Sequence, residues 1–163
     1  MNKKYKSFED SRLFGEQGQE RVADALREAG AFANKVDDRA RYDFELQFNN
    51  HTFRVEVKNE DNYRNGDNIC VETRQGRSPR PSGISTSEAT MCVHTLGDNC
   101  VIYLREKMLT FLRAEVATGR QYEQKFGDNH NRGFILSITD MNHQWWFDYC
   151  MFTEMAESEL WQS

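Results

Sequence analysis

Proline is scarce in this 163-residue chain, which has two, and no apolar run approaches the roughly 18–20 residues that a membrane helix needs. So little proline excludes collagen-like and proline-rich linker classes. The short apolar runs predict a soluble protein with no membrane partner. The start, Met1-Asn2-Lys3-Lys4-Tyr5-Lys6, is basic, but no apolar stretch follows it, so it does not read as a secretory leader. The expected compartment is the cytoplasm, that of the host if the protein is viral. Internal repeats and low-complexity tracts are missing too. None of the cysteines, Cys70, Cys92, Cys100 and Cys150, forms a C-x-x-C pair. They read as reduced, largely buried thiols. A zinc site from Cys92, His94 and Cys100 is disfavoured, because strand alternation would split those ligands between two faces.

What is present points to a folded domain. Hydrophobic residues make up 38% of the chain, and 11 Phe, 6 Tyr and 3 Trp are too many aromatics for a disordered segment. A chain of about 150 residues buries roughly two-thirds of its unfolded surface, enough for one core without disulfides. We therefore expect one domain over 1–163. The net charge of −5 argues against nucleic acid as a partner, but only as a sum. Arg74, Arg77 and Arg80 fall in a stretch without an acid, and Lys3, Lys4 and Lys6 form a second basic cluster.

Periodicity supplies the elements. Val22, Ala23, Leu26 and Ala29 predict a helix over 16–29, stopped by Gly30. Residues 32–36 suit a short strand. Phe44, Leu46 and Phe48, then Phe53, Val55 and Val57, alternate with polar residues across the turn Asn49-Asn50-His51, which predicts a β-hairpin. A polar loop over 59–68 precedes a third strand at 69–73, and 74–85 is irregular. Thr86 or Ser87 is expected to cap a short helix running towards His94. Residues 101–104 read as a buried strand, and Met108, Leu109, Leu112 and Val116 as one face of a helix ending at Gly119. Residues 120–132 read as a polar connection. Phe134, Leu136 and Ile138, with Trp145, Phe147 and Tyr149, predict a C-terminal aromatic hairpin over 133–152 that turns at 140–143. The sum is a mixed α/β domain with a central sheet flanked by helices.

The first hairpin carries the chemistry. Glu56 and Lys58 are two apart and share a face, while Val55 and Val57 face the core. Antiparallel pairing brings Asp43, at the start of one strand, beside the end of the next. Two carboxylates and the Val57 carbonyl offer hard oxygens to Mg²⁺, with Mn²⁺ as its substitute. Such a cation polarises a phosphate and lowers the pKa of a nearby water. Lys58 can position or deprotonate that water, or neutralise charge beside it. Glu16 and Glu20 share a face of the first helix, so a carboxylate there can add to the set. Glu72, on the third strand, reads as a sheet-edge or salt-bridge residue that can face the same site.

Asp43, twelve intervening residues, then Glu56-Val57-Lys58, behind a helix bearing Glu20, resembles the PD-(D/E)xK nuclease superfamily. The likeness covers about residues 15–118 and is greatest to archaeal-type Holliday junction resolvases and small phage endonucleases. Those share the Glu-bearing helix and often a Ser/Thr-Gly-rich segment, here Pro81-Ser82-Gly83-Ile84-Ser85-Thr86-Ser87. The chain departs from the motif at Tyr42, where the superfamily has proline. The resemblance implies a restriction-endonuclease-like fold and a metal-dependent endonuclease acting on duplex or branched DNA in recombination, repair or phage genome processing. Its implied catalytic residues are Glu20, Asp43, Glu56 and Lys58, and its implied metal ligands Asp43, Glu56, the Val57 carbonyl and Glu20. Arg74, Arg77 and Arg80, with Ser85 and Thr86 at a helix N-terminus, would hold phosphates. A homodimer would suit the cutting of two strands, and the aromatic hairpin is open to three roles: packing on the core, the interface of that dimer, or stacking on unpaired bases. The competing readings are a non-catalytic nucleic-acid-binding module on the same fold, or a protein-interaction domain using the aromatic hairpin.

Overall fold

The computed structural model describes residues 8–37, 39–60, 68–77, 80–126 and 130–162. Lys3, Lys4, Lys6 and most of the polar loop over 59–68 lie outside the described residues. Along the chain come α1 (Phe8–Glu28), β1 (Phe32–Lys35), β2 (Phe44–Phe48), β3 (His51–Asn59), β4 (Asn68–Gln75) and β5 (Arg80–Pro81). A 3-10 turn (Gly83–Ser85) leads to β6 (Met91–Leu96), β7 (Asn99–Leu104) and α2 (Arg105–Ala117). Then follow β8 (Gln124–Phe126), β9 (Asn131–Ser137), α3 (Ile138–Met141), β10 (Phe147–Met151) and two 3-10 turns, Phe152–Glu157 and Glu159–Gln162.

Helix α1 starts well before the expected Glu16 and ends as its sequence dictates. Gly30 takes a φ of 93°, its N–H bonds to the Arg27 carbonyl and the Ala31 N–H to that of Leu26. That pair of bonds is a Schellman stop, which favours glycine at the left-handed position. The expected β2–β3 hairpin forms, but its turn is one residue shorter: Asn49 and Asn50, both at positive φ, make the turn, and His51 opens β3 opposite Phe48, which sets Phe44 opposite Val55.

The architecture is a mixed α/β domain. Six strands form one sheet in the order β1-β2-β3-β6-β7-β10, with β3 and β6 parallel and every other pair antiparallel. Four form another, β5-β4-β9-β8, all antiparallel. One face of the larger sheet packs Val55, Val57, Leu46 and Val93 against Val22 and Leu26 of α1 and Trp161 of the last turn. Its other face packs Val101 and Tyr103 with Ile69, Val71 and Leu136 of the smaller sheet and Met108 of α2. No helix among the described residues is long and apolar enough to cross a membrane.

Four expectations fail here. The short helix from Thr86 towards His94 is instead strand β6, buried at every position from Met91 to Leu96. It lies in the middle of the sheet with neighbours on both sides, where a strand needs no polar face and shows no alternation. The third strand, β4, leaves the first sheet and pairs with β9, so there are two sheets and not one. The C-terminal hairpin over 133–152 does not form: β9 pairs with β4 and β8, β10 pairs with β7, and α3 stands between them. Residues 124–126 of the expected polar connection form the edge strand β8. Cys92 is buried in one core and Cys100 in the other, Cys70 and Cys150 are half-buried, and Cys100 Sγ lies 3.6 Å from Cys150 Sγ across β7 and β10.

Candidate active site

Strand β3 outruns its neighbour. β2 begins at Phe44 opposite Val55, so the Val57 N–H on that side has no strand to bond. Asp43 fills the place. Its backbone N–H bonds to the Val55 carbonyl at 2.8 Å, and its carboxylate Oδ2 accepts the Val57 N–H at 2.6 Å. The other oxygen, Oδ1, accepts from Gln19 Nε2 of α1 at 2.8 Å. Helix and strand meet closely just there. A Cβ on Gly18 would stand 2.6 Å from that of Asn59, and Asn59 Nδ2 bonds to the Phe14 carbonyl at 2.8 Å. The glycine is what lets the next residue reach Asp43.

On the opposite face of β3, Glu56 Oε1 lies 2.9 Å from Lys58 Nζ, and Glu56 Oε2 accepts from Ser87 Oγ at 3.4 Å. Burial first, and then the charge of Glu56, push the Asp43 carboxyl up from 3.8 to about 6. At Lys58 burial works against the charge, but Glu56, with Asp43 and Glu72 behind it, outweighs it and holds the ammonium above the ordinary lysine value. The Lys58 side chain is 48% exposed, so its donors still reach solvent. A dication would relieve both the burial of the Asp43 charge and the repulsion that Glu56 adds. The Val57 carbonyl projects to the same side as its N–H, towards Asp43, and adds a third oxygen. Among the described residues no group of three His, Cys, Asp or Glu converges on one point. Asp43, Glu56 and the Val57 carbonyl are hard oxygens, the donor type that Mg²⁺ takes, in the small number of protein ligands that such an ion needs beside its waters.

Asp43, Glu56 and Lys58 are thus brought together. Glu20 is not. It is 61% exposed and pairs with Arg27 at 3.0 Å, while Glu16 pairs with Arg12 at 2.5 Å. The helix turns Gln19, not an acid, towards Asp43. The sequence holds one cue to this, the small residue immediately before Gln19. Glu72 bonds Ser82 Oγ at 2.6 Å and adds to the field on Lys58. Arg74, Arg77 and Arg80 are exposed on the β4–β5 hairpin, with Arg74 Nε 3.5 Å from Glu123. Ser85 and Thr86 do not open a helix: Ser85 ends the 3-10 turn and Thr86 closes it, its hydroxyl on the Gly83 carbonyl at 3.4 Å.

Sequence reasoning missed a buried chain behind Lys58. His94, 1% exposed and in register with Lys58 on the adjacent strand, has Nδ1 2.8 Å from Glu60 Oε1 and Nε2 3.0 Å from the Tyr103 hydroxyl. Burial pushes the Tyr103 hydroxyl well above its usual value, and the Cys92 thiol, which meets it, to about 12. Glu60 continues the two-residue spacing of Glu56 and Lys58, which is the signal that pointed to it. At Ser87, which bonds Glu56, begins an open groove of about 610 Å³, lined in part by Arg41, Arg54, Ser85, Thr86, Arg105 and Lys107.

No protein-family model matches the chain, and no curated protein matches it. Among solved structures a bacterial homing endonuclease, I-Ssp6803I, is similar at 14% identity and a TM-score of 0.49, over 77% of this chain and 78% of that one. A likeness at that level assigns no activity.

Proposed function

We propose that this protein is a metal-dependent nuclease that hydrolyses phosphodiester bonds in DNA. One observation carries the reading: a partly buried Asp43, tied at both oxygens to Val57 and Gln19, has its carboxyl raised to about 6 beside Glu56 and Lys58. Burial raises this carboxyl, the charge of Glu56 adds to the shift, and a cation held between the two would relieve both. Asp43, Glu56 and the Val57 carbonyl would hold Mg²⁺, or Mn²⁺ in its place, and the ion would polarise the phosphate and lower the pKa of a neighbouring water.

The chain's own residues do the rest. Gln19 and the Val57 N–H fix the Asp43 carboxylate, so its geometry is set before substrate arrives. Lys58, held protonated by Glu56, places a positive charge where a phosphoryl oxygen gains negative charge. Glu56 is held in turn between Lys58 and Ser87. Of the roles open to Lys58, charge neutralisation suits a raised pKa, and taking a proton does not.

The test is cleavage of labelled duplex, four-way junction and single-stranded DNA with and without Mg²⁺. Glu56→Ala and Lys58→Ala should each lower the rate by about a thousandfold or more, on the order of 4 kcal/mol of transition-state stabilisation, with the fold intact by circular dichroism. Symmetric junction cutting would make it a resolvase acting as a dimer. Cutting that survives Glu56→Ala would sink the reading, and binding without cutting would leave a nucleic-acid-binding module.

A further inference from the structure

Arg74, Arg77 and Arg80 stand out in the sequence, yet other cations line the groove beside the site. Arg41, Arg54, Arg105 and Lys107 face it, against Glu88 and Glu106. The groove starts at the reactive cluster, because Ser87, one of its walls, bonds both to Glu56 and, at 3.0 Å, to the Arg41 carbonyl. Arg105 is committed within the fold: Nε donates to the Ile84 carbonyl at 3.0 Å, and its fork meets Glu106. Arg54 and Lys107 instead lie over aromatic faces, Arg54 5.8 Å from the centre of Tyr42 and Lys107 5.2 Å from that of Trp145. A cation so held keeps its N–H donors for an incoming acceptor. Trp145 itself is 67% exposed, whereas its neighbour Trp146 is buried against Phe111 and Phe147. The core uses one indole, and the other stands at the Lys107 end of the groove.

We propose that this groove carries the backbone of a DNA strand away from the reactive cluster, and that Trp145 stacks an unpaired base at its far end. The preferred substrate then has a single-stranded stretch next to the bond that is cut. The inference rests on the nuclease reading above and names the substrate for that site. Guanidinium groups fork onto phosphate oxygens, and the hydroxyls of Ser85 and Thr86 on the same wall add donors. In a duplex every base face is covered by its neighbours, so an exposed indole finds a partner only where the strand is unpaired. The chain as a whole is acidic at −5, so a cationic groove at the site concentrates attraction there and not over the surface.

The test is fluorescence anisotropy in EDTA, with a blunt duplex, the same duplex bearing a single-stranded tail, and a single strand. The Arg41→Ala/Arg54→Ala double variant should weaken binding to all three roughly tenfold or more and lower the salt slope by about two. Trp145→Ala should weaken the tailed duplex and the single strand roughly tenfold and leave the blunt duplex within about twofold. Trp145 emission should be quenched by the tailed duplex and not by the blunt one. Arg120→Ala, an exposed arginine paired with Glu115, is the control and should bind as the parent does. The inference is overturned if the double variant binds normally, if Trp145→Ala affects tailed and blunt DNA alike, or if no DNA binds. Mg²⁺-dependent cutting that is lost in Glu56→Ala would still stand in the first two cases. Tight tailed-DNA binding without any cutting would keep the groove and remove the nuclease.

Discussion

On one face of β3 lie Phe53, Val55 and Val57, packed with Leu26 of α1 and Trp161 of the last turn. On the other lie Arg54, Glu56 and Lys58, with Glu60 just past the strand's end. The strand is the same and the alternation is the same, but the two faces do opposite work. The first removes apolar surface from water at roughly 25 cal/mol per Å², and its fit is what holds the sheet to the helix. The second keeps charges half out of water and beside one another, which costs stability. The groups to which the proposed reaction is assigned sit at the edge where β2 stops short, so the stable face positions the costly one.

Breaking the first face should cost the most stability and leave the chemistry alone. Trp161 is fully buried, stacks edge-on against Phe53 at 5.3 Å and donates its indole N–H to the Met155 carbonyl at 2.9 Å. Trp161→Ala should lower the unfolding free energy by about 3–5 kcal/mol in urea denaturation. Cleavage per folded molecule, measured well below the shifted midpoint, should change less than about twofold. A rate that falls in step with a small loss of stability would mean that the two faces are coupled and the contrast is false.

The second face should answer to charge. A carboxyl raised from 3.8 to about 6 costs the charged, folded form on the order of 3 kcal/mol at neutral pH. The folded state holds that proton more tightly than the unfolded one. Its contribution is therefore complete below about pH 4 and is lost as pH rises through about 6. Asp43→Asn removes the cost, because Gln19 can turn its amide to suit the new side chain. The variant should be about 2–3 kcal/mol more stable than the parent at pH 8, with the gap closing between pH 6 and 4, and it should not cut DNA. Mg²⁺ at ten times its dissociation constant should stabilise the parent by about 1.4 kcal/mol and the variant hardly at all. An Asp43→Asn chain that is less stable than the parent at pH 8 would show that Asp43 is an ordinary structural carboxylate.

The contrast between the faces also explains what the sequence shows and what it hides. Residues 44–58 are legible because each strand there has one wet and one dry face, and a period of two is the direct record of it. The same pattern places Asp43, Glu56 and Lys58, since an antiparallel turn fixes which residues meet. Met91–Leu96 is hidden because both of its faces are dry, and its two polar residues, His94 and Thr95, are satisfied inside by Glu60 and Asn59. Phe134–Ile138 and Phe147–Tyr149 are each legible as extended segments, but alternation does not say which strand is the partner. Nearness in sequence suggests a hairpin, and long-range burial against β4 and β7 decides otherwise. The groove is hidden for the same reason: Arg41, Arg54 and Lys107 are far apart in the chain and form no run.

Smaller effects separate two neighbours on α1. Gln19 is the residue that touches Asp43, through a neutral hydrogen bond at 2.8 Å, so it orients a carboxylate without adding to the charge there. Removing it leaves Asp43 its bond to Val57, and Gln19→Ala should lower the rate about tenfold, on the order of 1.4 kcal/mol, with less than about 1 kcal/mol lost in stability. Gln19→Glu should hurt more, because it sets a third carboxylate against Asp43, and extra Mg²⁺ should recover part of the loss. Glu20, one residue on, points about 100° around the helix, where Arg27 takes its carboxylate in full view of solvent. An exposed pair of that kind contributes within about 0.5 kcal/mol, so Glu20→Ala should leave both stability and cleavage within about twofold of the parent. If instead Glu20→Ala raises the Mg²⁺ concentration needed for half-maximal cutting while Gln19→Ala does not, α1 must turn when DNA binds and bring the acid to the ion. That single pair of titrations decides whether the helix supplies a ligand or only holds one in place.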